Sequence, residues 1–227
     1  VRAHLLAIAL LPCLAGAVQA GGVFVPALDG LNVANVESIQ ERAFSRTVRQ
    51  QYDFSCGSAA VATLLTYQYH DPISEHEVFM SMWDLGDQEK IRQDGFSLLD
   101  IKRYLDKRGY ESNGYEVPLE KLMENSVPAI MLINDHGYNH FVVVKGMSKD
   151  RVLLGDPSAG ARLVSRERFK EILVTPIVFV ITSHSAQAVF NGRTDWQTKP
   201  LASLGAAMSA ARLAQETVFS DRKPGLF

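Results

Sequence analysis

From Cys56 to Leu65 the chain shows almost no strongly polar face: Gly57, Ser58, Ala59, Ala60, Val61, Ala62 and Thr63 lead into Leu64 and Leu65. A helix that is apolar on all sides is buried at the centre of a fold. Ser55 stands at its N-cap position, and His70-Asp71-Pro72 ends it, because the residue before a proline leaves the helical region. Ser74 and Glu77 form a capping-box pattern ahead of Val78, Phe79 and Met82, and Ser97 with Asp100 repeats that signal in acidic form. Leu98, Ile101, Leu105 and Arg108 then follow at helical spacing, with Gly109 as a left-handed cap. Shorter helices are read at 33–44 and 118–124.

Beyond Pro128 the pattern changes. Ala129-Ile130-Met131-Leu132-Ile133 is a continuous apolar run of strand length, and His140-Phe141-Val142-Val143-Val144-Lys145-Gly146 is a second, rich in β-branched residues. Ser148-Lys149-Asp150 reads as a turn into the hairpin partner Arg151-Val152-Leu153-Leu154. A short strand at 162–164, a helix at 166–173 and a last strand at 177–181 complete the pattern. Helices first and antiparallel strands afterwards predict an α+β domain.

The ends read differently. Arg2 precedes an apolar stretch from Leu5 to Leu14, followed by Ala15-Gly16-Ala17-Val18-Gln19-Ala20. This is the three-part layout of a secretory signal, expected at 1–20 with the cut after Ala20; an N-terminal core helix is the alternative. Residues 21–45 read as an N-terminal extension and 46–183 as the dense domain. Residues 184–227 read as a polar linker to about residue 200 and then an Ala-rich helix at 201–218. That helix is expected to pack on the domain, with contact to a membrane surface or a partner as the other options.

Composition narrows the function classes. The 227 residues are 47% hydrophobic, enough to bury a real core. A formal net charge of -2 argues against a basic nucleic-acid surface, so no nucleic-acid partner is expected. No apolar run reaches the roughly 18 residues of a membrane-spanning helix. Of two cysteines, Cys13 falls within the expected signal. Cys56 is then the sole thiol of the mature chain, in a compartment that oxidises thiols. Such a cysteine is either a small buried hydrophobe or a reactive group.

The neighbourhood of Cys56 favours chemistry without requiring it. At the start of a central helix its sulfur lies near the positive end of the helix dipole, which lowers a thiol pKa. Gly57 leaves room for a substrate backbone, and a glutamine shortly upstream can offer its amide, beside the Cys56 backbone N–H, to a developing oxyanion. A thiolate nucleophile needs a base that takes and returns a proton. Among the histidines, His70 and His76 fall at helix boundaries, His184 in the linker and His136 in a loop. His140 opens a rigid strand that would fix its ring. Asp156 follows the paired strand, so the hairpin brings it to His140, where it can orient the imidazole. Each residue alone has an ordinary structural reading: a helix start, a strand start, a turn opener. Together they supply nucleophile, base and orienter, and no cofactor is expected.

These residues resemble the bacteriocin-processing cysteine peptidases, a papain-like family often fused to export ATPases. Gln50, Cys56, Gly57 and Ala59 match its active-site stretch, His140-Phe141-Val142-Val143 its histidine strand, and Asp156-Pro157 its Asp-Pro. The segment 95–109 is similar to the helix usual between those motifs, and the resemblance spans about 46–182. It implies a papain-like α+β fold in which Gln50 supports the oxyanion, Cys56 attacks, His140 is the base and Asp156 orients it. Two features depart from the pattern. Ser55 stands where many members carry an acidic residue, and the expected signal makes this an exported form, destined for the periplasm. That form resembles the peptidase of the functional-amyloid export system of Gram-negative bacteria. The similarity implies an exported protein substrate, other components of that export system as partners, and a role in biogenesis of a secreted fibre. Two other classes compete: a non-catalytic module that binds export signals or chaperones fibre subunits, and acyl transfer or amide hydrolysis on cell wall.

Overall fold

The computed structural model describes residues 38–197. The expected signal at 1–20, most of the N-terminal extension and the Ala-rich helix at 201–218 lie outside the described residues. Among the described residues no helix is long and apolar enough to cross a membrane.

Five helices come first. Helix α1 (Ile39–Phe44) opens on a capping box made by Ser38 and Glu41. Helix α2 (Cys56–Thr63) is buried at every position and continues into a wider π-helical stretch, Leu64–Gln68, before His70 turns left-handed at φ 55°. Helix α3 (Glu75–Leu85) starts on the Ser74–Glu77 box, with both reciprocal hydrogen bonds made. Helix α4 (Gln88–Asp94) is capped by the Asp87 carboxylate; the sequence patterns did not signal it. Helix α5 (Leu98–Lys107) starts on the Ser97–Asp100 box and ends ahead of Gly109 at φ 88°. Arg108 then grips Asp71 with two hydrogen bonds of 2.7 and 2.6 Å, tying the end of α5 to the turn after α2.

The second half is an antiparallel sheet. Strands β1 (Ser112–Glu116), β2 (Ala129–Asp135), β3 (Tyr138–Met147), β4 (Arg151–Asp156), β5 (Gly160–Ser165) and β6 (Ile177–Ile181) lie in the order β1-β6-β2-β3-β4-β5. Helices α6 (Glu120–Asn125) and α7 (Arg166–Ile172) pack against it. The expected α+β architecture is present. Strand β1 went unread because Ser-Asn-Gly-Tyr-Glu is polar and its pairing with β6 is made 65 or so residues downstream. Two boundaries move in ways that matter. Strand β3 begins two residues before His140, which pairs with Ile133 inside the β2–β3 hairpin instead of opening the strand. Asp156 is the last residue of β4, paired with Gly160 of β5, and does not follow the strand.

Two apolar layers flank the sheet. One gathers Val61, Leu64 and Leu65 of the central helix with Val78, Met82, Ile101, Leu105 and Val143, all fully buried. Each such side chain contributes about 2 kcal/mol of transfer free energy. The other layer gathers Leu122, Met131, Val142, Val144, Leu154 and Phe169. The first layer fixes α2 against β3, so the start of α2 and the middle of β3 are held by the core itself.

The stretch read as a polar linker from residue 184 is different in its described part. Helix α8 (Arg193–Gln197) and the residues before it are strapped to the domain. The Val189 N–H donates to the Gln68 carbonyl and the Asn191 N–H to the Lys145 carbonyl. The Asn191 side chain accepts from the Met147 N–H at 2.8 Å, filling the β-bulge between Val144 and Gly146. Asp195, 1% exposed, binds the equally buried Lys145 at 3.1 Å and Arg46 at 3.0 Å. A polar sequence here satisfies buried charge, which composition alone reads as solvation.

Candidate active site

Cys56 opens α2 and His140 lies within β3, with Asp156 at the end of β4. All three are buried. His140 Nε2 lies 3.2 Å from Asp156 Oδ2. An ionised carboxylate only accepts hydrogen bonds, so Nε2 carries the proton, and Nδ1 is the nitrogen left to take one. Nδ1 lies 3.5 Å from the Tyr138 carbonyl. The backbone N–H of Phe141, the next residue of β3, bears on the Cys56 thiol, which sets the sulfur beside the histidine strand.

The helix dipole is not the whole environment of the thiol. Burial pushes the Cys56 thiol up, and this outweighs the amides of Phe141, Gly57 and Cys56, which favour the thiolate; the Asp156 charge adds to the rise.

Asp156 is the most heavily bonded side chain of the site. Oδ1 accepts from the Ser158 hydroxyl at 2.6 Å, the Ser158 N–H at 2.9 Å and the Ala159 N–H at 3.3 Å. Oδ2 is shared between His140 and Arg162, whose Nη1 lies 2.8 Å away. Burial alone would raise its pKa. The bonds from His140 and Ser158, with the Arg162 guanidinium, reverse that and hold the carboxyl well below the usual range.

Gln50 is anchored by its backbone N–H to the Pro157 carbonyl at 3.1 Å. Its Nε2 donates to the Tyr52 carbonyl at 3.3 Å and its Oε1 has no partner. The Gln50 side chain also bonds the Tyr138 hydroxyl, so the amide lies between its own loop and the ring that stacks on His140. Two neighbours also depart from expectation. The Ser55 side chain makes no cap; it bonds the Tyr52 N–H and carbonyl and shapes the approach to Cys56. A Cβ on Gly57 would lie 2.9 Å from Phe96 Cβ, so this glycine serves the close approach of α2 to that loop more than room for a substrate.

Tyr138 and Arg162 went unremarked in the sequence. The Tyr138 ring stacks on His140, with centroids 5.7 Å apart and planes at 23°. Its hydroxyl donates to the Asp53 carbonyl. Alternation along a strand sets residues two apart on one face, which is the signal that could have found it. Arg162 bridges Asp156 and Asp135, the latter at 2.7 Å through Nη2. No local pattern marks it.

Cys56 opens onto a cleft of about 720 Å³ lined by Asp53, Phe54, Tyr138, Asn139, Phe141 and the segment 92–99, reaching Leu132, Thr175 and Ile177. Such a cleft can seat an extended peptide beside a buried thiol. His136, 93% exposed at the hairpin turn, and His184, on the surface beside Tyr110, stand apart from this group.

Comparison with known proteins agrees with the fold. A family model described as the Peptidase C39 family matches residues 45–185. The chain is 41% identical over 162 residues to a protein named probable functional amyloid protease FapD of Pseudomonas fluorescens, covering 70% of this chain and 72% of that one. It is 40% identical over 153 residues to the protein of the same name in Pseudomonas aeruginosa, covering 66% and 68%. The crystal structure of the peptidase domain of Streptococcus ComA, a bi-functional ABC transporter involved in a quorum-sensing pathway, is similar in fold. Its TM-score is 0.51 at 20% identity, over 60% of this chain and 96% of that one.

Proposed function

The chain belongs to the Peptidase C39 family of cysteine peptidases, and we propose that it is an exported endopeptidase that cuts one or a few secreted proteins in the biogenesis of a functional amyloid or similar fibre. The observation that supports the chemistry is the buried array in which Asp156 holds His140 through Nε2 while the Cys56 sulfur lies beside Phe141, the next residue of the same strand; on this reading Nδ1 takes the Cys56 proton. His140 takes that proton, and the thiolate attacks the scissile carbonyl. The oxyanion that forms is met by the Cys56 backbone N–H and by the Gln50 amide. The imidazolium gives its proton to the leaving amine, and a thioester remains on Cys56. Water, deprotonated by His140, then releases the acid and restores the thiol.

Export to the periplasm is supported by the signal layout at residues 1–20. The fibre role is supported by the two relatives named as probable functional amyloid proteases. Its partners on this reading are the exported substrate and the other components of the same export system. Incubation of the folded chain with a peptide electrophile tests the chemistry: Cys56 labels rapidly, Cys56→Ala not at all and His140→Ala slowly. Labelling of the wild-type chain at the rate of an ordinary small thiol would instead support a non-catalytic module that binds export signals. The exported proteins of cells carrying Cys56→Ala test the role, since an uncut fibre component is expected to accumulate.

A further inference from the structure

We infer that Arg162 is a positioning residue whose guanidinium, shared between Asp156 and Asp135, sets how strongly Asp156 supports a protonated His140. The inference rests on the peptidase reading and concerns the same site. Asp156 Oδ2 accepts from both His140 and Arg162, and the arginine is the closer donor, 2.8 Å against 3.2 Å. A carboxylate already neutralised by a permanent cation attracts an imidazolium less than a free one does. Arg162 is itself divided, because its other nitrogen lies 2.7 Å from Asp135. Asp135 draws the guanidinium charge away from Asp156 and back toward the β2–β3 hairpin.

The charged surroundings of His140 can be followed element by element. Asp156 faces it from β4 and Tyr138 from its own strand, while the Cys56 sulfur of α2 lies beside Phe141, the next residue of β3. Arg162 reaches Asp156 from β5, and Asp135 reaches Arg162 from β2. Beyond them, Arg168 of α7 lies 3.9 Å from Asp135 and His136 of the turn 3.7 Å from it. The array thus alternates in sign outward from His140: Asp156 negative, Arg162 positive, Asp135 negative. Removal of the second member and removal of the third must move the basicity of His140 in opposite directions. A purely structural arginine has no such signature.

The test uses the full chain carrying Cys56→Ala, with the imidazole of His140 titrated by nuclear magnetic resonance. Arg162→Gln is expected to raise the His140 midpoint by about one pH unit, and Asp135→Asn to lower it by about half a unit. Arg162→Lys, which keeps the charge, is expected to restore the original midpoint. Shifts in the same direction, or an unmoved midpoint with a dispersed amide spectrum, overturn the inference. Where Arg162→Gln does not fold, Asp135→Asn and Arg162→Lys decide alone: an unmoved His140 in the first, or a rise in the second equal to that expected for Arg162→Gln, overturns it. Failure of the peptidase reading is seen separately, as slow labelling of Cys56 in the wild-type chain whatever His140 does.

Discussion

The phenol of Tyr138 donates its proton to the backbone carbonyl of Asp53, so the β2–β3 hairpin and the loop ahead of α2 are joined across the cleft that holds Cys56. The bond ties two walls of that cleft together. Tyr138→Phe keeps the ring against His140 and loses the bond. One such bond contributes about 1 kcal/mol, so labelling of Cys56 by a bulky peptide electrophile should quicken about fivefold. Labelling by a small alkylating agent should hardly change. A slower reaction with the peptide would show that the hydroxyl serves the substrate instead.

Gly57→Ala tests the approach of α2 to the loop before α5. The added Cβ would lie 2.9 Å from Phe96 Cβ, closer than carbon atoms tolerate. Overpacking of this kind costs about 1–3 kcal/mol, visible as a lower urea midpoint. An unchanged midpoint would mean that the loop at Phe96 yields freely.

Lys145 is held in a buried ion pair with Asp195, outside the residues that line the cleft. Burial brings its ammonium down from the ordinary 10.5 to about 8, against the opposing pull of Asp195. The folded value lies below the unfolded one, so between those two pH values the unfolded chain binds more protons. This group's contribution to stability therefore rises with pH across that window. Urea midpoints measured at pH 8 and pH 10 should show the rise, and Lys145→Met should abolish it while costing about 3 kcal/mol near neutrality. A variant as stable as wild type would mean that Arg46 and Gln68 suffice for Asp195.

Asp156 gives the opposite limb. Its carboxyl is held below the usual range despite burial, by His140, Ser158 and Arg162. The stabilisation is fully present above the ordinary value of about 4 and is lost as the pH falls toward the depressed one. Asp156→Asn should flatten acid unfolding below about pH 4 and reduce turnover about a hundredfold or more. Retained turnover would remove Asp156 from the proton-transfer array.

Much of this arrangement was legible because it is written locally. The capping boxes at Ser74 and Ser97 need four consecutive residues, and both form. The apolar run after Cys56 needs only its own composition to predict burial. The hairpin from His140 to Asp156 needs a turn and two strands, and it brings those two side chains together. What escaped notice depends on partners far along the chain. Lys145 sits in a strand that reads as apolar, and its counter-ion is 50 residues on. Tyr138 acts through a carbonyl 85 residues before it. Arg162 matters through Asp135, 27 residues back, and nothing near it in sequence announces the pairing. The thiol shows the same division, since the dipole of α2 is local while the burial that opposes it comes from the whole fold.

The strap that carries Asn191 and Asp195 has a practical meaning for anyone preparing the domain in isolation. The family match stops at residue 185, a natural choice for the end of an expression clone. A fragment cut there would strip the bulge in β3 of its plug and leave the Lys145 ammonium in the interior without its carboxylate. Poor solubility of that fragment would then reflect the scissors and not the enzyme. Ending the clone after Gln197 keeps both contacts.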